Sequence, residues 1–121
     1  MNLKNKTMIF FLRIHDNFHY MDESQVYDYG NFKTFEEAET KAKTMVEDFL
    51  IDVWKPGMHP DELSALFSMY GDTPLIGSIP MHDYENFSAR EYVSSRKHAL
   101  CEQLEKQHQE KEKDALNEQK D

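Results

Sequence analysis

The stretch Gly30-Asn31-Phe32-Lys33-Thr34-Phe35-Glu36-Glu37-Ala38 marks the point where extended chain gives way to helix. Glycine tolerates the positive φ that a sharp exit from a strand often requires. Thr34 is a helix-capping residue, and Glu37 stands three positions on, the spacing of a capping box. An extended N-terminal region followed by an amphipathic helix is therefore expected.

Upstream of this boundary, residues 7–15 read Thr-Met-Ile-Phe-Phe-Leu-Arg-Ile-His. They are β-branched and aromatic without helical spacing, so they predict a strand. Alternation assigns Met8, Phe10, Leu12 and Ile14 to the core face and Arg13 and His15 to the other. Asp16-Asn17 is a plausible turn, and residues 18–29 form a second extended stretch, a hairpin partner with one wet face.

Downstream, the spacing predicts a helix from Phe35 to Trp54. Phe35, Ala38, Ala42, Met45, Val46, Phe49, Leu50 and Val53 recur at three and four to make one apolar face. Glu36, Glu39, Lys43, Glu47 and Asp52 are expected to point away from it. Lys55-Pro56-Gly57 ends the helix. Pro60, followed by Asp61 and Glu62, opens a shorter helix that Gly71 closes. Residues 73–80 are a third strand or an extended connector, and their two prolines confine a strand to the edge of the sheet. Phe87-Ser88-Ala89-Arg90-Glu91 repeats the helix-start chemistry: Ser88 caps, and Phe87 staples to Tyr92. The apolar face of this last helix fades past Leu104. Residues 1–104 are thus read as one α+β domain of order ββααβα, a two- or three-stranded antiparallel sheet packed by helices. Residues 105–121 are a charged tail, partly disordered or a solvated helical extension.

Several of these pieces occur together in a recognisable order. Gly30-x-Phe32-x-Thr34-x-Glu36-Glu37-Ala38 precedes Pro56-Gly57-Met58, then Met69-Tyr70-Gly71-Asp72-x-Pro74 and Phe87-Ser88-Ala89-x-x-Tyr92. The pattern resembles a group of small uncharacterised bacterial proteins over roughly residues 8–100. The resemblance implies no activity, and no functional residue is carried across from it.

The 121 residues carry a net charge of −9, 23 acids against 14 bases. Residues 22–62 alone hold eleven acids and four bases, net −7. An acidic surface repels phosphate backbones, which disfavours nucleic-acid binding and suits a basic protein partner. The apolar run Met8–Leu12 is too short to span a membrane, and no small-residue cleavage site follows it. With a single cysteine, Cys101, no intramolecular disulfide forms, and a cytoplasmic location without a membrane partner is expected.

Signs of catalysis are sparse. There is no glycine-rich phosphate loop and no Gly-x-Ser-x-Gly elbow. His15 and His19, with Asp16, are the only metal candidates. On a straight strand the two histidines stand about 13 Å apart, too far to share an ion. Cys101 falls in an apolar helical neighbourhood that does not favour a thiolate. No cofactor is expected, and a metal-dependent enzyme using His15, Asp16 and His19 is the alternative reading. The favoured one is a non-enzymatic protein-binding role of adaptor, inhibitor or immunity type. Its candidate residues are the aromatics Tyr27 and Tyr29 and the acids Glu36, Glu39, Glu47 and Asp52. The same exposed surface is compatible with a homo-oligomer or a self-assembling subunit.

Overall fold

The computed structural model describes residues 9–16, 26–79 and 87–118. The elements follow the order β1 (Ile9–Asp16), β2 (Val26–Phe32), α1 (Phe35–Val53), α2 (Pro60–Tyr70), β3 (Asp72–Ile79) and α3 (Ala89–Glu118). This is an α+β fold of order ββααβα. The strands form one antiparallel sheet in the order β2-β1-β3, so the most apolar strand is the central one. Because β2 and β3 are both antiparallel to β1, they run parallel to each other. Parallel strands need a long crossover, and α1 and α2 supply it.

Three start signals act as the sequence implies. Thr34 Oγ1 accepts the backbone N–H of Glu37 at 3.1 Å. Ser88 Oγ accepts that of Glu91 at 3.2 Å. Phe87 and Tyr92 meet with ring centroids 6.2 Å apart, forming the staple. At α2 the cap is His59, whose Nδ1 accepts the N–H of Asp61 at 3.0 Å just ahead of Pro60.

Two details differ from the sequence reading. Gly30 does not end its strand. It sits inside β2 with φ +65°, where the β1–β2 register shifts between Phe11 and Leu12, and Asn31 and Phe32 still pair beyond it. The positive φ serves a bulge rather than an exit. Residues 72–79, read as strand or connector, are a full edge strand paired with β1 from Asp16↔Asp72 to Ile9↔Ile79. The residue 16–17 turn, the start of the second extended stretch and Met8 lie outside the described residues.

The core forms where α1 crosses the sheet. Leu12 and Ile14 of β1, Ile76 of β3 and Ala38, Ala42, Val46 and Leu50 of α1 are all fully buried. Leu63 and Phe67 of α2 join them, as do Ala89, Val93 and Leu100 of α3. Small alanines in the first half of α1 let its backbone approach the strands. Phe10–Phe35 and Phe49–Phe67 close the flanks edge to face, at 6.3 and 5.8 Å. Cys101 is buried in this core, where burial, ahead of the nearby Glu105, pushes its thiol pKa up. α3 continues as helix to Glu118, and its residues 109–117 are exposed.

Candidate functional site

A strand in a sheet presents alternate residues to opposite faces, and register keeps paired positions on one face. The Leu12–Ile76 and Ile14–Pro74 pairs face the helices and are fully buried. The second row consists of Ile9, Phe11, Arg13 and His15 on β1, opposite Ile79, Gly77, Leu75 and Thr73 on β3. Ile9 and Ile79, partners across the strands, are 40% and 46% exposed; Phe11 and Leu75 are half-buried. The described helices take the first row, which leaves the second without a helix over it.

Phe11 shapes this second face. A Cβ at Gly77 would come within 2.4 Å of Phe11 Cζ, so the ring lies flat across the glycine. Gly77 is required by close approach, and Phe11 thereby bridges β1 and β3 between Ile9–Ile79 and Leu75. The result is a low apolar strip with exposed isoleucines at one end and Arg13 and His15 at the other.

The candidate residues distribute as follows. Tyr29 pairs with Leu12 and Tyr27 with Ile14, both on edge strand β2, so these two positions share the row that α1 covers. Glu36 and Asp52 are exposed, and Glu39 is half-buried with its carboxylate 3.6 Å from Lys43 Nζ. Glu47 is turned toward α3, not outward as periodicity suggested. It accepts a hydrogen bond from the Tyr92 hydroxyl and an ion-pair contact from Arg96 at 3.1 Å. Asp52 is five residues beyond Glu47, about 140° further round the helix. The four acids therefore do not form one stripe: Glu36, Glu39 and Glu47 follow one flank of α1, and Asp52 stands apart.

The Glu47 cluster is the strongest electrostatic feature between the helices. Burial works to raise the Glu47 pKa, but Tyr92 and Arg96 together outweigh it and hold the carboxyl below its usual range. Burial, reinforced by Glu47, pushes the Tyr92 phenol up to about 12. Lys43 Nζ lies 5.5 Å over the centre of the Tyr92 ring. These groups fasten α1 to α3; nothing in their arrangement provides a substrate cleft. A second fastening joins the α1–α2 turn to α3, where the Gly57 N–H donates to Glu105 Oε2 at 2.9 Å and Trp54 meets His108 at 6.4 Å.

His15 occupies the second sheet row opposite Thr73, and Asp16 pairs with Asp72. His19 lies outside the described residues. Among the described residues, no three His, Cys, Asp or Glu gather closely enough to hold a metal ion. No helix among them is long and apolar enough to cross a membrane.

No protein-family model, no curated protein and no solved structure matches this chain.

Proposed function

We propose that this chain is a small acidic protein-binding protein without catalytic activity, of adaptor, inhibitor or immunity type. The observation that carries the reading is the helix-free sheet face, where Ile9 and Ile79 stay 40% and 46% exposed beside Phe11 and Leu75. Exposed apolar side chains grouped on one face favour a macromolecular contact. Tyr27 and Tyr29, on edge strand β2, occupy positions in the opposite, helix-side row and are not part of this face. Glu36, Glu39 and Asp52 lie on α1 at the other side of the domain and give the chain its long-range attraction for a basic partner. Glu47 contributes by setting the angle of α3.

Capture experiments test the reading. A tagged chain should retain a protein in stoichiometric amount, and Ile79→Asp should release it while leaving the fold intact. Glu36→Lys with Asp52→Lys should slow association most at low ionic strength. Retention of the same protein by all variants would rule out this surface. Light scattering adds the homo-oligomer arm, since a dimer that Ile79→Asp converts to monomer would make the partner a second copy.

A further inference from the structure

Away from the sheet face, two adjoining cavities of about 210 and 140 Å³ open between α2, the start of β3 and the first turns of α3. Both are lined by Phe67, Ser68 and Arg90; Ser64, Val93 and Ser94 complete the larger one, and Thr73 the smaller. Their volume far exceeds the ~10–15 Å³ of such space that one water needs. Among the described residues, no carboxylate lines either cavity.

Arg90 is the anomaly here. It is the second residue of α3, where the helix dipole disfavours a cation, and it has no ion pair among the described residues. The hydroxyls of Ser68 and Ser94 make no hydrogen bond among the described residues either. Ser64, which also lines the larger cavity, differs: its hydroxyl donates to the Asp61 carbonyl at 3.0 Å. One guanidinium and two unengaged hydroxyls thus surround a cleft whose floor, Phe67 and Val93, is apolar. A residue that breaks a local rule without compensation marks a place where function is to be sought.

We infer that this cleft binds a small phosphomonoester. Arg90 would grip the phosphoryl oxygens, a planar fork on an oxyanion, with Ser68 and Ser94 donating to the same group. The short carbon stem would lie on Phe67 and Val93. The site shares Thr73 with the second sheet row but does not rest on the protein-binding reading.

Amide NMR titration of the full chain with glycerol phosphate at fixed ionic strength tests the assignment, with inorganic phosphate and glycerol titrated alongside. The expected result is saturable shifts at Ser68, Thr73, Arg90 and Ser94, with a dissociation constant of roughly 1 mM or tighter. Arg90→Gln should weaken binding about tenfold or more with the remaining spectrum unchanged, and Arg90→Lys should recover part of the loss. No saturable shift, or shifts unaltered by Arg90→Gln, would overturn the site. Equal affinity for inorganic phosphate would overturn the phosphomonoester assignment by removing any role for the apolar floor.

Discussion

The hydroxyl of Tyr92 donates to the carboxylate of Glu47 across 45 positions of sequence, and Arg96 holds the other oxygen of that carboxylate. One acid on α1 thus anchors two side chains of α3, one helical turn apart. Both oxygens are engaged, so the helix pair has a fixed crossing rather than a sliding apolar contact. Removing the phenol should be costly in proportion. Tyr92→Phe is expected to destabilise the fold by about 1–2 kcal/mol, since it strands a half-buried charged acceptor. Denaturant unfolding checks this, and the loss should shrink when Glu47→Gln is already present, because the two changes share one interaction.

The same cluster predicts pH dependence at both ends. The folded Glu47 carboxyl titrates below its unfolded value, so its stabilisation is present above about pH 4.5 and is lost as pH falls through the folded pKa. The Tyr92 phenol is raised from 10.0 to about 12, so its contribution is complete below pH 10 and declines as pH rises toward 12. Melting temperature should therefore fall at both extremes, and Tyr92→Phe should flatten the alkaline decline specifically.

Caps can be tested one at a time. Thr34→Ala removes the acceptor for the Glu37 N–H and should cost on the order of 1 kcal/mol. An unchanged melting midpoint would place the stabilisation of α1 entirely in its buried face.

The two glycines of the sheet should fail for different reasons. Gly30→Ala forces a side chain into positive φ and should cost roughly 1–2 kcal/mol whatever its surroundings. Gly77→Ala instead collides with the Phe11 ring. Its cost should fall when Phe11→Ala opens the space, an interaction that a double-mutant cycle resolves.

The exposed end of α3 should be dispensable for folding. Deleting residues from 109 onward takes away residues 109–117, all exposed, and should leave the melting temperature within a few degrees. A deletion that begins at Leu100 takes away core and the Glu105 clasp, and it should unfold the chain.

Much of this fold was legible because its signals are local. The Thr34 and Ser88 caps, the 3.6-residue spacing of α1 and the alternation of Phe10, Leu12 and Ile14 each involve neighbours in sequence. The misreadings arise where a long-range contact decides the outcome. Gly30 reads equally well as a strand exit or a bulge, and only pairing of Asn31 and Phe32 with β1 distinguishes them. That bulge also shifts the alternation within β2, which is why Tyr29 and Phe32, three apart, share one row. Glu47 reads as a solvated acid because its partners lie on a helix 45 and 49 positions away. Arg90 is a cation in the first turn of a helix and Ser94 stands one turn further on, but Ser68 and Phe67 come from α2, more than twenty positions earlier in the sequence.

The claim that the helix-free sheet face docks another protein is tested most directly by Ile79→Asp. The tagged parent chain and this variant, both verified as folded by amide spectra, would be recovered from one cell extract and their bound proteins compared. One stoichiometric protein, or a second copy of the chain, is expected on the parent and is expected to be absent from the variant. An identical set of bound proteins on both chains, or none on either, would contradict it.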